Sequence, residues 1–185
     1  KTLAPGLRVG WALAPHAIRE KLILANEAAV LSPSSFAQIV ISEYLASADW
    51  RGQIDVFRSS YKERRDAMLT ALKEHLPGLH WTVPNGGFYV WLAMPGHLDS
   101  KAMLPRAVKE LVAYTPGTAF FADGGGRNAM RLSFCYPTPE FIREGVRRLA
   151  TVINGELSLL NEFSQTGPLS IQTEERQGVL PPNVG

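Results

Sequence analysis

The sequence predicts an α/β or α+β layered fold, and three observations carry that prediction. Segments of helical periodicity alternate with short apolar runs of strand character between residues 7 and 153. Apolar residues make up 45% of the 185 and charged residues 19%, the balance of a globular chain with a core. Gly, Pro, Asn and Ser collect between the periodic segments, where the chain has to turn.

The first run, residues 7–13, reads as a buried strand, because Val9, Trp11 and Leu13 alternate with smaller residues before Pro15 ends it. Residues 16–30 follow as a helix with Ile18, Leu22 and Ala25 on one face, Pro15 being suited to its first turn. Ser32-Pro33-Ser34-Ser35 breaks it, and Ser34 or Ser35 caps a second helix over about 36–48. Asp49 then caps the helix expected to be the longest of the chain. Its apolar stripe is Ile54, Phe57, Tyr61, Met68, Leu72 and Leu76, and Pro77-Gly78 stops it.

Two short strands, 80–83 and 88–92, are joined by the turn Pro84-Asn85-Gly86-Gly87. Asp99 or Ser100 caps a helix to about Leu111, with Pro105 awkward in its second turn. A strand near 112–115 leads to the loop Pro116-Gly117-Thr118, and the Gly-rich segment 123–127 to a strand over 129–135. Thr138-Pro139-Glu140 opens the last helix, with the stripe Ile142, Val146, Leu149 and Ile153, expected to close at Asn154-Gly155. Beyond about Phe163 periodicity is lost, and residues 156–185 are assigned to a flexible tail.

Several function classes fall away. The net charge of +2 is spread over mixed signs, with no basic face for nucleic acid. No apolar run approaches the ~20 residues of a membrane span. The single cysteine, Cys135, excludes an internal disulfide, fits a cytoplasmic location, and is expected to be a core residue of its strand. His16, His75, His80 and His97 stand at no ligand spacing, so no metal site is expected. Gly124-Gly125-Gly126 precedes a strand and not a helix, so it is not read as a phosphate cradle.

Three cations carry the chemistry. Lys1-Thr2-Leu3-Ala4-Pro5-Gly6-Leu7-Arg8-Val9-Gly10-Trp11 resembles the lysine segment of fold-type-I aminotransferases, which depend on pyridoxal 5'-phosphate. The resemblance makes Lys1 the residue that forms the Schiff base with the cofactor, since an amine must attack the aldehyde and later be freed to move protons. It makes Arg8 a ligand of the cofactor phosphate, where a planar guanidinium suits two oxygens. Asn128-Ala129-Met130-Arg131-Leu132-Ser133-Phe134 is similar to the family segment whose arginine, here Arg131, binds the substrate α-carboxylate. Pro84-Asn85-Gly86-Gly87-Phe88-Tyr89 is similar to a family turn, with the expected aromatic falling on Tyr89; a plain β-turn feeding a core strand explains it as well. Pro116-Gly117-Thr118-Ala119-Phe120-Phe121 matches the loop that precedes the Gly-rich turn.

The resemblance runs from Lys1 to about Gly155 and implies the C-terminal part of the fold: residues 1–46 end the large cofactor domain and 47–155 form the small domain. It implies transamination between an amino acid and a 2-oxo acid, in which the freed Lys1 carries the proton from Cα to the cofactor. A homodimer is expected of the intact protein. The abrupt start at Lys1 suggests missing upstream sequence, and with it the partners of the pyridine ring, so the isolated chain is expected to be inactive. The alternatives are the aminotransferase-like domain of a MocR-type transcription regulator and an inactive remnant. For the substrate side chain, Tyr89 and Phe120 are the candidates on this segment.

Overall fold

A computed structural model of the chain describes residues 3–165. The chain forms two compact units, Lys1–Asp66 and Ala67–Gly185.

In the first unit, a single 3-10 turn at Pro5–Leu7 comes first, followed by irregular backbone to Pro15. The strand expected over 7–13 does not form. Trp11 and Leu13 are 90% and 95% exposed, and no described strand lies beside the segment. A strand holds only where a neighbour satisfies its backbone N–H and C=O groups, so alternation alone could not make one here. Helix α1, His16–Val30, lies where its periodicity puts it, yet none of its residues is buried, Ile18 and Leu22 included. Helix α2, Ser35–Ser47, is capped by Ser34, whose Oγ accepts from the Ala37 N–H at 3.2 Å. Helix α3, Trp50–His75, starts at Asp49, whose carboxylate accepts from the Gly52 N–H at 3.0 Å.

The second unit is an antiparallel sheet packed under helices. From Ala67 on, α3 buries Met68 and Leu72, and Leu76 just past its end is also buried, the later half of the expected stripe. The strands are β1 (His80–Trp81), β2 (Tyr89–Ala93), β3 (Thr115–Pro116) and β4 (Ala129–Ser133), in the order β1-β2-β4-β3. Helix α4, Ser100–Lys109, lies between β2 and β3 in sequence, with Asp99 as its cap. Pro105 is accommodated inside α4. Helix α5, Pro139–Gln165, has 27 residues and exceeds α3 by one, so α3 is not the longest helix. It also runs through Asn154 and Gly155 instead of closing there, and residues 156–165 of the expected tail are therefore helical. A glycine in a helix interior costs only about 1 kcal/mol, and just beyond it Glu156 pairs with Arg106 of α4. The rest of that tail lies outside the described residues.

The core sits between one face of the sheet and the helices. Val90 and Leu92 of β2, Met130 and Leu132 of β4, Met103 and Ala107 of α4, and Val146, Leu149 and Ile153 of α5 are all buried. Cys135 is not among them. It follows the end of β4, half-buried, with Sγ 3.1 Å from the Ser133 Oγ. Among the described residues no helix is long and apolar enough to cross a membrane.

Candidate active site

Side chains alternate across a strand, so the register of β2 against β4 sorts their residues by face. Val90 pairs with Leu132 and Leu92 with Met130, and these four point into the core. The intervening pairs, Tyr89 with Ser133 and Trp91 with Arg131, stand on the opposite face. Thr115 of β3 also pairs with Arg131, so the arginine has a strand on either side.

On that face the Arg131 guanidinium lies against aromatic rings. Its Cζ is 3.9 Å from the Tyr89 ring centroid, the diagonal neighbour across the strand pair, and 4.7 Å from that of Phe120. Phe120 arrives on a second 3-10 turn, Gly117–Phe120, and meets Trp91 edge to face at 5.4 Å. Trp91 also contacts Phe121, with centroids 6.2 Å apart. The Arg131 Nε is buried and has no hydrogen-bond partner. No described carboxylate forms an ion pair with the group. A half-buried cation held by ring faces, with no described carboxylate neutralising it, is suited to binding an anion.

The Gly-rich turn fixes where β4 begins. Gly124 and Gly126 adopt φ of +78° and +70°, a region that side chains rarely enter. Gly125 N–H donates to the Asp123 carboxylate at 3.0 Å. Asn128 Nδ2 donates to the Met94 carbonyl at 2.6 Å, tying the turn to the end of β2. Gly126 also makes room for Phe121: a Cβ there would fall 2.6 Å from its ring.

Of the other expected site residues, Lys1 lies outside the described residues. Arg8 is in the first unit, exposed, at φ +53°, where its N–H bonds back to the Pro5 carbonyl. That left-handed conformation is uncommon for a residue with a side chain. It closes the Pro-Gly turn, which the sequence marks, but the turn type is not readable from Pro5-Gly6 alone. Arg8 makes no ion pair among the described residues. Arg131 stands in the second unit. Among the described residues no group of three His, Cys, Asp or Glu side chains is arranged to hold a metal. Sequence reasoning singles out Tyr89 and Phe120 for a substrate side chain, whereas both rings face the arginine. It misses Trp91, which packs against Phe120, and Phe121, which packs against Trp91. The usable signal is the spacing of two between Tyr89 and Trp91, on the strand that pairs with that of Arg131.

Residues 2–149 match the family model for aminotransferase class I and II. The chain is 46% identical to aromatic-amino-acid aminotransferase 1 of Thermococcus litoralis over 159 residues, 85% of this chain and 38% of that protein. It is 30% identical to an HTH-type transcriptional regulator, YdfD, of Bacillus subtilis over 154 residues, 83% of this chain and 32% of the regulator. Among solved structures it resembles LysN, the α-aminoadipate aminotransferase of Thermus thermophilus, determined with N-(5'-phosphopyridoxyl)-L-leucine. The TM-score is 0.77 and the identity 38%, over 84% of this chain and 40% of LysN. The chain thus spans about two fifths of the length of the aminotransferases it matches. With its arginine on the open face of the sheet and this likeness over most of its length, the chain belongs to the class I and II aminotransferase family.

Proposed function

We propose that this chain is the carboxyl-terminal portion of a pyridoxal-phosphate-dependent transaminase acting on an amino acid and a 2-oxo acid. Residues 1–46 complete its large domain and 47–155 form its small domain. The whole protein is read as a cytoplasmic homodimer. The observation that carries the reading is Arg131, a cation without a described carboxylate partner, its Nε unused, on the open face of the sheet.

The donor set fits an anionic cofactor and an anionic substrate. Arg8 offers an exposed guanidinium on a turn fixed by Pro5, suited to two phosphate oxygens. Arg131 pairs with both oxygens of the substrate carboxylate and so sets how the Cα–H bond stands to the reacting plane. Lys1 is the base that takes the proton from Cα. When bound, pyridoxal phosphate supplies the electron sink that makes this Cα–H bond acidic. The aromatic rings beside Arg131 exclude water from the charged pair and strengthen it.

The test is transaminase turnover in the holoenzyme that contains this segment. Arg131→Gln should lower kcat/KM for the amino acid by about a hundredfold, the loss expected for a charge-assisted pair. An amine donor without a carboxylate should lose far less. Equal losses for both donors overturn the role of Arg131, and turnover by the isolated 185-residue chain overturns its reading as a dependent portion.

A second reading is the aminotransferase-like domain of a transcription regulator, favoured by the likeness to YdfD. Specific DNA binding by the whole protein, without turnover, would support it in place of the first.

A further inference from the structure

We propose that Tyr89 and Phe120 are positioning residues that hold the Arg131 guanidinium against their ring faces and leave its N–H donors for the substrate carboxylate. The inference rests on the transaminase reading and adds to it the means by which the arginine is aimed.

A long side chain that must bind an anion has to be held still without spending the donors that do the binding. A carboxylate partner would fix an arginine by occupying its in-plane N–H groups and cancelling its charge. Ring faces do neither. They attract the cation through their quadrupoles and accept no conventional hydrogen bond from it. Arg131 is held in this second way. Its Cζ lies 3.9 Å and 4.7 Å from the Tyr89 and Phe120 centroids, inside the range of about 6 Å over which such attraction acts. Its Nε is buried and makes no hydrogen bond, so the orientation owes nothing to an acceptor at that atom.

The rings are themselves fixed. Tyr89 is held by the strand pairing of β2 with β4, its Cα opposite that of Ser133. Phe120 is braced edge to face against Trp91, whose Cα is opposite that of Arg131. The turn that carries Phe120 starts at Gly117, where a Cβ would strike the carbonyl oxygens of Gly126 and Ala129. The arginine and both rings are therefore referred to one piece of sheet, and a shift of either ring moves the guanidinium.

Two measurements test this. In the 15N-labelled holoenzyme that contains this segment, the Arg131 Nε–Hε resonance should be displaced upfield by ring currents and protected from exchange. Tyr89→Leu and Phe120→Leu should each reduce the displacement, while Tyr89→Phe should keep it. In the holoenzyme that contains this segment, each leucine variant should raise KM for the amino acid about tenfold with kcat within about twofold, and Tyr89→Phe should restore KM. A merely structural role would lower kcat and raise KM alike for donors with and without a carboxylate. An Arg131 resonance at the ordinary arginine position in the parent holoenzyme overturns the proposal, and that spectrum decides even if the leucine variants do not fold. Should Arg131→Gln raise KM while the ring variants do not, the positioning role fails and the transaminase reading stands. Should Arg131→Gln itself leave KM unchanged, the transaminase role of Arg131 fails with it.

Discussion

The Arg127 guanidinium donates two hydrogen bonds to one oxygen of Asp99, from Nε at 3.1 Å and Nη2 at 2.8 Å. The other oxygen of Asp99 accepts from the Lys101 and Ala102 N–H groups at 2.8 and 3.1 Å, capping α4. One carboxylate thus starts a helix and anchors the Gly-rich turn that sets the beginning of β4. The Arg127 side chain, followed by the α4 cap, holds the Asp99 carboxyl below the usual aspartate range.

A carboxyl whose pKa is depressed on folding stabilises the native state above its unfolded pKa. That contribution fades as pH falls from there through the lower folded value. Wild-type stability should therefore decline below about pH 4, the ordinary aspartate range. Asp99→Ala should cost about 1–2 kcal/mol at pH 7, mainly through the lost cap, and should flatten the acid limb. Urea unfolding at pH 7 and at several acid pH values measures both. An acid limb as steep in Asp99→Ala as in the wild type would remove Asp99 from this account.

Tyr114 carries the opposite dependence. Its buried hydroxyl donates to the Ser100 carbonyl at 2.7 Å. Burial, followed by the nearby charges of Asp99 and Glu156, pushes its pKa up to about 12. The phenol is neutral in the fold and ionises more readily in the unfolded chain. Its contribution is complete below the ordinary tyrosine value near 10 and is lost as pH rises towards 12. Tyr114→Phe should cost about 1 kcal/mol at pH 7 through the missing hydrogen bond. It should also remove part of the alkaline fall in stability, followed by thermal unfolding from pH 8 to 11.

Much of the second unit was legible because its elements carry their own signals. Asp99 reads as a cap, the Leu72–Leu76 stripe as a buried face, and Pro84-Asn85-Gly86-Gly87 as a turn. Residues 7–13 mislead because alternation says a strand could form, while pairing decides whether it does. The end of α5 misleads because Asn154-Gly155 is a stop signal of only about 1 kcal/mol, while the pairing of Glu156 with Arg106 lies beyond it and is non-local. The three expected cations, Lys1, Arg8 and Arg131, are singled out by the resemblance of their segments. The rings around Arg131 are not readable as its holders, since that needs the register of β2 on β4, a non-local fact. No local pattern in the sequence states which residue of one strand faces which of another.

The last prediction concerns Gly117, where space and not conformation excludes a side chain. Gly117 is buried and its φ lies outside the left-handed region, so alanine would be tolerated by the backbone dihedrals alone. A Cβ built there meets the Gly126 carbonyl oxygen at less than contact distance and the Ala129 oxygen at 2.8 Å. Both are backbone atoms. Ala129 is paired with Ala93 on β2, and Gly126 sits in the turn that delivers β4, so neither can retreat alone. Overpacking of this kind costs about 1–3 kcal/mol. Gly117→Ala should fall in that range by urea unfolding. Gly78→Ala, with nothing within 4 Å of its Cβ, should change stability by less than about 0.5 kcal/mol. Because Phe120 lies on the same 3-10 turn, Gly117→Ala should also reduce the ring-current displacement of the Arg131 Nε–Hε resonance. A destabilised variant with that resonance unmoved would show that the turn can shift without carrying Phe120, and would separate the packing of Gly117 from the aim of the arginine.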